Sequence, residues 1–520
     1  MSTSPATPTT SRARPAIAWI AAIAVVMAFA FLGSRGIWDP DEGRYTNVAL
    51  NMLDSGDWLN PQRTDDTGHW TKPPLTYWLI AASVAAFGQN PWAARLPIAL
   101  SYLACVYLVW RLGRRLLPGS ESTAATIYAT LLLPLGAAQL ITTDFPLTAL
   151  QTLAVTAFVE ARFGQGRAYG WLALMWLAFA LAFLTKGPPG LLPLLAIVVY
   201  QFLLPQPGGR RVLSISGLVI FVVVALPWFV AVTTRHAGLL DYFVGAEIAG
   251  RIASPDFGRH PEWYGWLQIY APTLVLGSLP WTGTLWRWVR TLPADLRRWR
   301  DPAVRREQAP LLLLTVWVLV PLLVFCIARS RLPLYLLPLF GPLALLAARQ
   351  RHRDGAARPL GAWLAGWVLL ALVLKAAAAY WPTHKDASVW AAAIRERAPV
   401  PVTEIVFVED MARYGIHLHL DAEVEKISLQ PIDGPRFNPE YDEDLATELR
   451  ESEGEPGAIW IAKSERLAQI RAAIDANGHV LEPLGTPFRG RTLFTVHRKG
   501  AAPAAAPGAD PAAADRDGRQ

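Results

Sequence analysis

The chain has 520 residues, 53% hydrophobic and only 17% charged, with a mean hydropathy of +0.27, which excludes an ordinary soluble domain. Its net charge of +7 comes mostly from arginines in short loops between apolar runs, so cytoplasmic loops of a membrane protein explain it better than nucleic-acid binding. The 22 tryptophans suit many membrane interfaces, and the two cysteines, Cys105 and Cys326, sit in apolar runs that exclude a disulfide framework or a zinc motif.

A membrane span needs roughly twenty apolar residues. Eleven runs qualify: 16–34, 92–112, 123–142, 145–163, 168–185, 188–204, 212–232, 265–286, 309–328, 333–348 and 360–381. The first follows Arg12 and Arg14 and has no small-residue cleavage site, so it reads as an uncleaved helix. Arginine-rich loops alternate along this series and are assigned to the cytoplasm. The remaining loops, 35–91, 143–144, 186–187, 233–264, 329–332 and everything after 382, then share the outer side. Asp41, Arg44, Lys72, Asp144, Lys186, Arg251, His260, Arg329 and Arg331 all fall in those loops or at their edges, which predicts one polar site at that face.

Just after the first span comes Asp39-Pro40-Asp41-Glu42-Gly43-Arg44-Tyr45. Asp39 fits an N-cap, Pro40 the first helical position and Glu42 the third position of a capping box. Tyr45, Val48, Ala49, Met52 and Leu53 form an apolar stripe, so this helix should lie along the membrane surface. Asp41 and Arg44 share a face, where Arg44 is either a catalytic orienter or a plain salt-bridge partner. Lys72 precedes Pro73 and Pro74 at a helix start, where a cation opposes the dipole; an oxyanion ligand would account for it.

Further on, Asp144 in Thr143-Asp144-Phe145-Pro146 is a helix cap or a catalytic acid. Lys186 in Thr185-Lys186-Gly187-Pro188 ends a helix, a position that also suits a cation for structural reasons. Arg329, Arg331 and Tyr335 put two guanidiniums and a phenol near one another, and guanidinium forks suit phosphate oxygens. His260 reads as a substrate contact or as a surface histidine. Beyond 382 the pattern changes to strands at Thr403 to Val408 and Ala458 to Ala462, with helices around Asp386 to Arg397, Ala446 to Glu453 and Ser464 to Ala476. The expected division is a membrane domain over 1–381 that includes the first outer loop 35–91, a small soluble α/β domain over 382–499, and a disordered tail over 500–520.

The segments DPDEGRY, TKPP, TTDFPLT, LTKGP and SRLPLYLLP, in that order among many spans, resemble bacterial lipid A aminoarabinose transferases and, more distantly, protein O-mannosyltransferases, glycosyltransferase families 39 and 83. The resemblance covers about residues 35–345. It implies an all-α polytopic GT-C membrane enzyme with a small C-terminal soluble α/β domain. It further implies a polyprenyl-phosphate sugar donor and work at the outer, periplasmic side of the bacterial inner membrane. The family's functional positions fall on Asp41, Arg44, Lys72, Asp144, Lys186 and Tyr335. Thr71 stands where the family often has Glu, which weakens a metal site there, and Arg331 stands where it often has Lys.

The combined reading has Asp41, Arg44 and Asp144 as catalytic residues and Glu42, Lys72, Lys186, Arg251, His260, Arg329, Arg331 and Tyr335 as substrate-binding ones. No cofactor is required, and a divalent metal is left open. The expected partners are the lipid-linked sugar, lipid A or another glycan or protein acceptor, and the bilayer, with no nucleic acid. A protein O-glycosyltransferase is the rival enzyme reading. A transporter of lipid-linked sugar is the non-enzymatic rival, disfavoured because it predicts charges at span centres.

Overall fold

The computed structural model describes residues 13–165, 168–205, 212–250, 259–355, 361–432, 437–452 and 457–500. Arg251 and the tail from 501 lie outside them. The chain divides into two units: one of residues 1–34, 71–86 and 92–381, the other of 35–70, 87–91 and 382–520.

The first unit is helical. Among the described residues, five helices are long and apolar enough to cross a membrane: Pro91–Leu116, Ala168–Lys186, Ile215–Arg235, Ala309–Ile327 and Gly361–Tyr380. Asp144–Phe163 is as long but more polar, and its Thr148, Thr152 and Thr156 hydroxyls each donate to the carbonyl four residues back. Four expected spans are broken or start irregularly at prolines, among them the run 188–204, where the 3-10 turn Pro188–Leu191 precedes the helix Leu192–Leu203. The run 123–142 divides into Glu121–Thr130 and Leu132–Ala137. Pro134 has no N–H to offer the Thr130 carbonyl, and the Trp367 indole donates to that carbonyl instead at 2.9 Å. The run 265–286 ends at Gly277 and restarts beyond Pro280 as Thr282–Arg298. The run 333–348 begins as the 3-10 segment Pro333–Leu339 and becomes α-helical only at Phe340–Arg353.

The second unit joins most of the first outer loop to the C-terminal region, whereas the sequence pattern had grouped 35–91 with the membrane helices. Its centre is a six-stranded sheet, order β3-β2-β1-β4-β6-β5. The strands are β1 Glu404–Val408, β2 Glu423–Ser428, β3 Glu443–Asp444, β4 Ala458–Lys463, β5 His479–Pro483 and β6 Arg491–Arg498. β1 to β4 run parallel, while β6 is antiparallel to β4 and to β5. Val406, Val408, Ile427, Trp460 and Phe494 pack from one sheet face against Leu445, Leu449, Ile470 and Ile474 of two helices. Asp386 and Asp444 cap the helices Ala387–Arg397 and Leu445–Glu451 through their side chains.

The first outer loop is tied to this sheet by buried polar bonds. Arg63 Nε donates to Asp442 Oδ1 at 2.6 Å, with both side chains almost fully buried. The other Asp442 oxygen accepts from the Lys426 N–H at 2.9 Å and the Tyr414 hydroxyl at 3.2 Å. Asn47 and Asn51 both donate to the Arg63 carbonyl, and Asn47 Oδ1 meets His417 Nδ1 at 2.9 Å. The buried side chains of Asn47, Asn51 and Arg63 thus each carry hydrogen bonds.

Candidate active site

Asp144 begins one helix and Lys186 ends the next, and only residues 164–167 separate the two. Helices of 20 and 19 residues joined that way pack antiparallel, so the start of the first lies level with the end of the second. Gly187, at φ +67°, stops the lysine helix, and its N–H returns to the Phe183 carbonyl at 2.7 Å. Lys186 Nζ accordingly donates to Asp144 Oδ1 at 2.5 Å, with both side chains about nine-tenths buried. The same ammonium lies 4.4 Å from the centre of the Tyr335 ring, carried on the proline-bounded 3-10 segment. Gln151 fastens the carbonyls of Pro189 and Gly190 to the Asp144 helix. The structure thus brings together three of the sequence-predicted residues, Asp144, Lys186 and Tyr335.

Lys72 Nζ lies 3.7 Å from Glu247 Oε2, and the Tyr242 hydroxyl donates to Glu247 Oε1 at 3.1 Å. Glu247 was missed in the sequence, because it lies in the expected loop 233–264 with no motif around it; the structure places it in the π-helix Tyr242–Gly250. Thr71 supplies no carboxylate, and the acidic trios close enough to share an ion, among the described residues, belong to the second unit.

Arg331 is buried rather than presented. Its Nη1 donates to the carbonyls of His260 at 2.6 Å and Glu262 at 2.9 Å, and its Nη2 to that of Cys326 at 3.0 Å. The guanidinium therefore shapes the 259–262 turn, where His260 is exposed with φ +58°. Arg329 is exposed. Replacing Arg331 with Lys keeps the charge but cannot reach three carbonyls in different directions. We expect that variant to make the 259–262 turn more open to proteolysis; an unchanged cleavage pattern would show that charge alone suffices there.

In the second unit, Asp41 and Arg44 form an exposed pair at 2.7 Å. Glu42, expected to bind substrate, is buried and gripped by Arg35 at 2.6 and 3.0 Å, and it accepts the Trp38 N–H at 2.9 Å. The expected capping box is therefore not formed: Glu42 takes the Trp38 N–H rather than that of a cap residue, and Asp39 is not the cap. The helix starts at Asp41, and Asp39 Oδ1 instead accepts the Gly415 N–H at 3.0 Å. Its Oδ2 is buried without a hydrogen-bond partner. Burial pushes the Asp39 carboxyl up to about 7, outweighing the attraction of the Arg413 guanidinium. An acid raised in the folded state favours folding while protonated, so this contribution is complete below the ordinary range near 4 and is lost as pH rises through about 7. The thermal midpoint of the protein is expected to fall between about pH 4 and 7, and Asp39→Asn should flatten that fall. Parallel curves for the two proteins would assign the slope to other groups.

With this geometry established, the chain can be set beside known proteins. Residues 71–234 match the family model described as dolichyl-phosphate-mannose-protein mannosyltransferase. An undecaprenyl phosphate-alpha-4-amino-4-deoxy-L-arabinose arabinosyl transferase of Pseudomonas aeruginosa is 35% identical over 369 residues, 68% of this chain and 63% of that protein. The protein of the same description from Edwardsiella ictaluri is 33% identical over 328 residues, 61% of this chain and 56% of that one. The matches thus span under two thirds of these relatives' length. The crystal structure of ArnT from Cupriavidus metallidurans bound to undecaprenyl phosphate aligns with a TM-score of 0.74 at 20% identity, covering 93% of this chain and 98% of that one. In sequence the chain is similar to the aminoarabinosyl transferases, in residues 71–234 it matches the mannosyltransferase family, and it has the fold of ArnT.

Proposed function

We propose that this chain is a membrane glycosyltransferase of the bacterial inner membrane that moves a sugar from undecaprenyl phosphate to lipid A, an aminoarabinose-type transfer, at the periplasmic face. The observation that carries this reading is the buried Lys186–Asp144 pair beneath Tyr335. The transfer breaks the bond between sugar C1 and the carrier phosphate oxygen, and the electron pair leaves with undecaprenyl phosphate. An acceptor oxygen forms the new bond to C1 with inversion. The developing phosphate charge needs a cation already in position, and Asp144 fixes where the Lys186 ammonium stands. Lys72 is the second cation of the reading, positioned by Glu247. A lipid A phosphate is already an anion and gives up no proton, so Asp41 acts electrostatically on the sugar, oriented by Arg44.

Purified protein, labelled undecaprenyl-phosphate aminoarabinose and lipid A are expected to yield labelled lipid A of higher mass. Labelled donor that is consumed without any mass change on lipid A would reject the acceptor. Asp41→Asn is expected to slow transfer about 10²-fold with the fold intact, and wild-type turnover would remove Asp41 from the mechanism. A second reading, transfer to a protein hydroxyl, is favoured by the description of the family that residues 71–234 match. There Asp41 would take the hydroxyl proton, and a serine or threonine peptide would carry the label.

A further inference from the structure

The C-terminal sheet carries a second constellation of acids. Glu404 opens β1 and Glu425 lies on β2, where the parallel register sets Val406 beside Glu425. Residues two apart on a strand share a face, so both glutamates point to the sheet face that holds Val406, Val408 and Ile427. The helix Leu445–Glu451 covers that face with Leu445 and Leu449, and it brings Glu448 to the same place. One carboxylate oxygen from each of Glu404, Glu425 and Glu448 lies within 4.8 Å of the others. Glu448 is 1% exposed and Glu425 9%. Glu448 Oε1 is shut away from solvent without a hydrogen-bond partner.

Three carboxylates at the rim of an apolar core are expensive unless something positive or a proton stands among them. The side chains acting most strongly on Glu425 are Glu448, Glu404, Glu423 and Asp442, all of them acids. Burial and these like charges push both Glu425 and Glu448 well above the ordinary carboxylate range. Because the three oxygens lie within 4.8 Å of one another, an ion among them could sit within about 2.8 Å of each, which small side-chain adjustments bring to the calcium–oxygen range of about 2.3–2.6 Å. The donors are all oxygen, which suits a hard cation and not zinc or copper.

We propose that Glu404, Glu425 and Glu448 form a calcium-binding site in the C-terminal domain that fastens the Leu445–Glu451 helix to β1 and β2. The site is independent of the glycosyltransferase reading, and its test uses no activity measurement. Full-length protein in detergent is stripped with chelator at pH 8 and then titrated with calcium chloride, following radioactive calcium bound and the thermal midpoint. Wild type is expected to bind calcium at millimolar concentration or below and to gain several degrees. The Glu425→Gln/Glu448→Gln double variant, which removes two repelling charges at constant shape, should fold without calcium, lose that binding and gain nothing. Absence of calcium binding by wild type, or the same stoichiometry and midpoint gain in the double variant, would overturn the site.

Discussion

Lys186→Ala is expected to lower sugar transfer by about 10²- to 10³-fold, the cost of removing one preorganised donor to a developing oxyanion. Two effects contribute and can be separated. The ammonium itself is lost to the leaving phosphate, and Asp144 is left as a buried carboxylate without its partner at 2.5 Å. The second effect is structural, because breaking a buried pair from one side costs about 3–5 kcal/mol. The double variant Lys186→Ala/Asp144→Asn removes the stranded charge. Its thermal midpoint should return toward wild type while its turnover stays low. If turnover returned as well, the pair would serve only to hold two helix ends together. Lys186→Arg is a further control, since a guanidinium keeps the charge but not the compact ammonium over the Tyr335 ring.

Arg63→Ala should produce the largest loss of stability in the second unit. Asp442 is entirely buried, and Arg63 is the guanidinium bonded to it. Without that guanidinium the carboxylate keeps the Lys426 N–H and the Tyr414 hydroxyl but loses its counter-charge. The expected cost is again about 3–5 kcal/mol, read as a lower unfolding midpoint and as faster proteolysis of residues 35–70. Asp442→Asn should cost less in combination with Arg63→Met, because an apolar side chain of similar length fills the space without a charge. A midpoint for Arg63→Ala within about 1 °C of wild type would show that the loop is held by other contacts.

Much of this was readable in advance, for reasons that differ from residue to residue. The meeting of Asp144 and Lys186 follows from two helices of 20 and 19 residues, a connection of few residues and a stop at Gly187. Hydrophobic pattern also placed β1, β4 and the helices of the C-terminal region close to their observed bounds. Tertiary partners decided the rest. Asp39 looks like a cap locally, yet its carboxylate is claimed by the Gly415 N–H, 376 residues away in sequence. Glu42 and Arg331 look like ligands for a substrate, yet one is taken by Arg35 and the other by backbone carbonyls. Apolar runs gave no warning that Pro134 and Pro280 would divide two spans or that Pro188 and Pro333 would start two others as 3-10 turns, since hydropathy counts side chains and not missing N–H groups. β5 and β6 were unread because β5 is short and holds Glu482 and Pro483, and β6 is bounded by Arg491 and Arg498.

The pairing of Arg63 with Asp442 joins positions 379 residues apart. A ribosome adding roughly 5–20 residues each second needs about 20–75 s to make that interval. Throughout that time the early segment exists without the strands that will shelter it. A nascent chain stalled before residue 382 would carry its arginine unpaired indefinitely, and should be a ready substrate for quality-control proteases.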